Sequence, residues 1–89
     1  SRYYQKQKSK KMQVNVLFWG VLTDVAQTKK IEVRNVKELS VLRKQLLEQY
    51  PKLAAYSHHI AVNQEIVHED DFILNDGDEI ALLPPYAGG

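Results

Sequence analysis

The sequence predicts an α+β domain, a mixed sheet of four to five strands with one main helix on one face. Three observations predict it. Two early stretches, "QVNVLFW" (13–19) and "KKIEVRN" (29–35), alternate apolar and polar residues, the period-2 signature of strands buried on one side. A single segment after Asn35 carries leucines at helical spacing. The remainder returns to short strand-like runs separated by turn residues and closes on "EIALL". One amphipathic helix has one apolar stripe to bury, so it covers one face of the sheet and leaves the other open.

The elements follow in order. Val14, Val16 and Phe18 share one face of the first strand, which Gly20 breaks. "VLTDVAQT" is a connection with room for one helical turn, and Ile31 and Val33 carry the second strand of an antiparallel hairpin. Asn35 is a candidate N-cap and Glu38 completes a capping-box pattern. Leu39, Leu42, Leu46 and Tyr50, with Leu47 beside them, form the helical stripe, which Pro51 ends. "KLAAYS" is expected to be irregular. "HHIAVNQ" (58–64) gives a third strand, and "EIVHED" a short fourth after a turn at Asn63-Gln64. A turn at "NDGD" then precedes the last strand, 79–83. A hairpin, a crossover helix and a final strand returning beside the first describe a ubiquitin-like β-grasp.

With 89 residues the chain is one domain whose core is near the lower limit for independent stability. The expected division is a basic extension over 1–11, disordered or non-native, followed by the β-grasp domain over 12–89 with a flexible tail at 84–89. Met12 looks like a natural start. The first eleven residues hold Arg2, Lys6, Lys8, Lys10 and Lys11 and no acid. After them seven basic residues face eleven acidic ones, a net charge of −4. An acidic domain argues against a nucleic-acid surface. No apolar run approaches the length of a membrane span and no signal-like segment leads the chain, which places the expectation in the cytoplasm. The chain has no cysteine, so neither a thiol nucleophile nor a Cys-based metal site is available.

The uncovered sheet face is unusually apolar. If Val14, Val16 and Phe18 face the helix, Leu17 and Trp19 face away; if Ile80 and Leu82 point in, Ala81 and Leu83 point out. First and last strands are neighbours in a β-grasp, so Leu17, Trp19, Ala81 and Leu83 are expected to form one exposed patch, extended by His59 and Ala61. Scattered apolar residues on a surface are normal. A contiguous patch containing a tryptophan marks a partner interface.

Side-chain chemistry is sparse. His58 and His59 are adjacent on a strand and point to opposite faces, so they cannot chelate one ion together, and His68 has only acidic residues near it in sequence. No metal site is expected. Asp70, Asp71, Asp76, Asp78 and Glu79 lack the spacing of a calcium loop and read as turn formers and surface charge. Gly20 and Gly77 read as isolated turn glycines. No phosphate loop, dinucleotide motif or Ser-His-Asp set is present, so no autonomous catalysis is expected.

The last residues, "PPYAGG", are the remaining candidate. An α-carboxylate with an unperturbed pKa of roughly 3.5 is ionised at neutral pH and can attack the α-phosphate of ATP. Gly88 and Gly89 carry no side chain to obstruct a narrow channel, and Pro84-Pro85 stiffen the base of the tail. From Pro84 to Gly89 the reach is at most about 20 Å.

The residues "VNVLFWG", "AVNQEIV", "LNDGDEIALLPP" and the terminal "GG", spread over 12–89, resemble the MoaD family, the small sulfur-carrier subunits of molybdopterin synthase, within the broader MoaD/ThiS ubiquitin-like sulfur carriers. The paired prolines favour MoaD over ThiS. "GVLTDVAQT" and Tyr86 depart from the usual pattern, and residues 1–11 have no counterpart. The resemblance implies that Gly89 is adenylated by an ATP-using, E1-like enzyme of the MoeB type and converted to a thiocarboxylate, with sulfur from a donor protein. The tail would then enter a large synthase subunit of the MoaE type and pass sulfur to cyclic pyranopterin monophosphate. Gly88, Ala87, Tyr86 and Pro85 would be tail contacts; Leu17, Trp19 and Leu83 would dock. No cofactor would be bound by the chain itself, ATP being used by the activating partner. A ThiS-like donor for thiazole or another thio-metabolite, a ubiquitin-like protein modifier, and a plain interaction module with an inert tail are the alternatives.

Overall fold

A computed structural model describes residues 12–85; the expectations for 1–11 and 86–89 lie outside the described residues. The elements are β1 (Gln13–Phe18), α1 (Val21–Ala26), β2 (Lys30–Arg34), α2 (Leu39–Gln49), a 3-10 helix (Pro51–Ala55), β3 (His59–Val62), β4 (Glu65–Ile66) and β5 (Glu79–Leu83). All five strands join one sheet in the order β2-β1-β5-β3-β4. β1 and β5 pair in parallel, with Val16 opposite Ile80, and the other three pairings are antiparallel. The last strand therefore occupies the centre of the sheet.

The alternation read from the sequence holds in both central strands. Val14, Val16 and Phe18 of β1 and Ile80 and Leu82 of β5 are buried, with Ile60 and Val62 of β3, in one cluster with Leu39, Leu42 and Leu46 of α2. Tyr50, at the end of the stripe, meets Phe18 edge to face with ring centroids 5.4 Å apart. At about 25 cal/mol per Å2 of apolar surface removed from water, this cluster is the main favourable contribution to folding.

Several local expectations are corrected. The capping box does not form. Asn35 adopts a left-handed backbone (φ 61°) and its N–H bonds Met12 O at 2.9 Å, closing the β1–β2 hairpin. The helix begins at Leu39, with Glu38 as N-cap and no side-chain cap. Backbone carbonyls from the loop before β5 take over the capping: Leu39 N donates to Phe72 O (3.0 Å) and Ser40 N to Asp70 O (2.9 Å). "PKLAA" is a 3-10 helix rather than irregular, with Pro51 at its start and Leu53 buried. The connection after Gly20 is a six-residue helix that buries Leu22 and Ala26. The fourth strand is only two residues long, and the turn before it places Asn63 and Gln64 both at positive φ (49° and 74°), as a tight hairpin requires.

The acidic turn residues act as hydrogen-bond acceptors. Asp78 is buried; its Oδ1 accepts from Asn63 Nδ2 (2.9 Å) and its Oδ2 from Asn75 N (2.8 Å). Asn63 in turn accepts from Glu79 N (2.9 Å), and Asp76 Oδ1 from Gln13 N (2.9 Å). These bonds tie the β3–β4 hairpin and the β1 entry to the start of β5. Asp78→Ala is expected to destabilise the domain by about 1–3 kcal/mol, because it leaves donors without their acceptor. Urea unfolding checks it, and an unchanged midpoint would show that the network contributes nothing net.

Candidate functional site

The sheet face opposite α2 carries the candidate site. Its layout follows from register alone. Leu17 lies beside Lys30 on one side and Ala81 on the other, Ala81 beside Ala61, and Ala61 beside Ile66. One row towards the tail, Leu83 lies beside His59. One row the other way the face turns polar, with Asn15 between Glu32 and Glu79. Trp19 follows β1, and its N–H extends the ladder to Leu82 O at 3.2 Å.

Leu17, Trp19, Ala61, Ala81 and Leu83, with Gln64, Ile66 and Glu79, line one hollow of about 510 Å3. Five of the six patch residues expected from sequence thus share a single surface. The relief was not expected. Ala61 is 3% exposed and belongs to the floor, whereas Trp19 (54%) and Ile66 (50%) stand up as walls. Ile66 was missed because "EIV" alternates over too few residues to assign a face; its register opposite Ala61 puts it on this one. His59 is half-buried beside Leu83 but outside the hollow, and its ring meets His68 edge to face at 6.4 Å. His58 turns away, with Nδ1 2.8 Å from Tyr56 O.

Next to the tryptophan, Leu17, Phe18, Trp19, Gly20, Thr23 and Lys29 line a smaller depression. Thr23 Oγ1 donates to Phe18 O at 2.7 Å, tying α1 to the end of β1. The tail leaves from this same end: β5 finishes at Leu83, Pro84 is half-buried and Pro85 exposed. Gly89, Gly88, Ala87 and Tyr86 lie outside the described residues. Among the described residues no group of three or more His, Asp or Glu side chains is placed to hold a metal ion, and no helix is long and apolar enough to cross a membrane. What this end of the molecule offers is an apolar hollow with exposed walls beside the point where β5 finishes.

The sequence model of the ThiS family matches residues 16–89. The chain belongs to the ThiS family. The match starts within β1, at Val16, and runs through Gly89, so it covers the residues that line the hollow and the tail. Within the ThiS family resemblance, the molybdopterin synthase sulfur carrier subunit of Mycobacterium tuberculosis is 36% identical over 83 residues, covering 88% of this chain and 99% of that protein. Among solved structures, a complex of subunits 1 and 2 of molybdopterin-converting factor from Helicobacter pylori contains a chain that is 30% identical, with a TM-score of 0.68, over 88% of this chain and all of its own length. The small archaeal modifier protein 1 of Methanosarcina acetivorans shares the fold, with a TM-score of 0.73 at 22% identity, over 91% of this chain and 100% of that one. The ubiquitin-like β-grasp expected from element order is the architecture of this ThiS family member.

Proposed function

We propose that this chain is a sulfur carrier for molybdenum cofactor biosynthesis, the small subunit of a molybdopterin synthase. The observation that carries the reading is continuity: the apolar hollow opens beside the end of β5, and the sequence places Gly88-Gly89 within about 20 Å of that end. A partner covering the hollow therefore has the tail within reach of its own interior.

The steps follow from carboxylate chemistry. A carboxylate oxygen of Gly89 attacks the α-phosphorus of ATP held by an E1-like enzyme of the MoeB type, and pyrophosphate leaves. Sulfur at the hydrosulfide level, delivered by a donor protein, adds to the acyl-adenylate carbonyl; AMP leaves and a thiocarboxylate remains. The chain then docks on a large subunit of the MoaE type through Leu17, Trp19, Ala61, Ala81 and Leu83, with His59 at the margin. Pro85, Tyr86, Ala87 and Gly88 are the tail residues that contact the walls of the partner's passage. Sulfur passes to cyclic pyranopterin monophosphate, and addition of water returns the free carboxylate. The chain binds no cofactor of its own in this scheme, and the catalytic side chains belong to its partners.

The test is a two-stage reconstitution read by intact mass. The chain is incubated with ATP, the E1-like enzyme and a sulfur donor, then mixed with the large subunit and the pterin precursor. The expected result is the mass gain of an oxygen-to-sulfur exchange, reversed in the second stage as dithiolene product accumulates. Loaded chain that a competent large subunit never discharges, but a thiazole-forming enzyme does, would move the assignment to a ThiS-like donor. A ladder of heavier amide conjugates would make the chain a protein modifier.

A further inference from the structure

We propose that Gly20 is the seat of Pro84, and that this contact sets the bearing on which the tail leaves the sheet. Gly20 is thereby a positioning residue for the acyl chemistry at Gly89. The proposal rests on the carrier reading above and adds a residue to it that sequence patterning treats only as a turn.

Gly20 lies between β1 and α1 at φ 58° and ψ −135°, a combination open to glycine and unfavourable for any residue with a Cβ. Its missing side chain has a second use. A Cβ at position 20 would stand 2.9 Å from Pro84 Cγ and 3.7 Å from Pro84 Cδ. The first distance is shorter than two carbons tolerate, so the pyrrolidine ring occupies the space that a side chain would take. By contrast, a Cβ on the other described glycine, Gly77, would meet nothing within 4 Å.

Neither side of the contact is free to drift. Trp19 N donates to Leu82 O (3.2 Å), which fixes β5 against the residue before Gly20. Leu22 N donates to Trp19 O (3.0 Å), Thr23 N to Gly20 O (3.0 Å), and Thr23 Oγ1 to Phe18 O (2.7 Å), which holds the turn that Gly20 makes. Pro84 fixes its own φ through its ring. With the ring seated, the peptide that follows it has a narrow range of directions.

Direction matters because the lead is long relative to the tolerance of chemistry. The five residues after Pro84 span at most about 18 Å, so a tilt of about 20° at the seat moves the far end by about 6 Å. Acyl transfer is sensitive to misplacement of about 1 Å. A partner channel could re-aim a loose tail, but only by ordering it at entropic cost during the reaction. The hollow lies on the neighbouring strands and does not need the seat. Losing the seat should therefore lower turnover and spare docking.

The experiment measures sulfur loading of the full chain by the E1-like enzyme, with carrier concentration varied so that kcat and KM separate, alongside thermal unfolding. Three variants are compared with wild type: Pro84→Gly, which empties the seat; Gly20→Ala, which fills it; and the double variant. Pro84→Gly should unfold near the wild-type temperature and keep KM within about twofold, while kcat falls about tenfold or more. Gly20→Ala should lose both stability and kcat. The double variant should regain the stability lost to the collision without regaining kcat. A Pro84→Gly chain that loads at wild-type kcat overturns the proposal while leaving the carrier reading intact. A wild-type chain that never gains sulfur overturns the carrier reading and this proposal together.

Discussion

Removing Gly89 is expected to abolish sulfur loading while leaving the folded domain unchanged. The new terminus, at Gly88, still ends in a carboxylate, so the loss is not one of functional group. It is one of reach: the carboxylate is drawn back by about 3.5 Å, roughly the whole separation at which a nucleophile attacks its electrophile. A shortfall of that size is expected to cost at least about a hundredfold in rate. Adding one alanine after Gly89 should be as damaging, because the reacting carboxylate then overshoots and carries a methyl group into a passage shaped for glycine. Stability should not move, since among the described residues the buried cluster ends at Leu82. Intact mass after incubation with ATP, activating enzyme and sulfur donor reads the first effect, and thermal unfolding the second. A shortened chain that loads at the wild-type rate would mean that the tail is not the acceptor.

Trp19→Ala should separate docking from folding in the opposite sense. The indole is more than half exposed, so its truncation should change stability by no more than about 0.5 kcal/mol. At the wall of an apolar hollow, a tryptophan is the kind of side chain that supplies about 2 kcal/mol or more of binding energy. That corresponds to a Kd about 30-fold weaker for the large subunit. Leu42→Ala is the internal contrast. It empties a position fully buried in the cluster under the sheet and should cost about 2–5 kcal/mol of stability with little change in the affinity of the folded fraction. Calorimetric titration of each variant against the large subunit checks both. Equal affinities for Trp19→Ala and wild type would remove this sheet face as the docking surface.

Much of this was legible in the sequence where a pattern repeats long enough to define a face. β1 and β5 each alternate over five or six residues, so their inward and outward sets, and hence most of the hollow, followed from residue order. The stripe Leu39, Leu42 and Leu46 identified the helix for the same reason. What escaped depends on partners distant in the chain. Asn35 and Glu38 have the right types for a capping box, but hydrogen bonds from Asn35 to Met12 and from Leu39 to Phe72 supersede it. Ile66 sits in a strand of two residues, whose face is defined only by pairing with Ala61. The role of Gly20 is set by Pro84, far along the chain, and no local pattern announces it. The hollow was legible as a surface from its periodicity, whereas the tail residues 86–89 lie outside the described residues.

The central place of β5 also decides how the domain bears a load. A partner that draws the tail into a channel pulls along the axis of this strand. Register pairs four of its residues with β1 on one flank and four with β3 on the other. Hydrogen bonds run across the strand direction, so tension on the tail meets both ladders in shear, many bonds resisting at once. An edge strand such as β4 would instead peel away one bond at a time. The strand order thus lets the C-terminal end of β5 carry tension without opening the sheet that holds it.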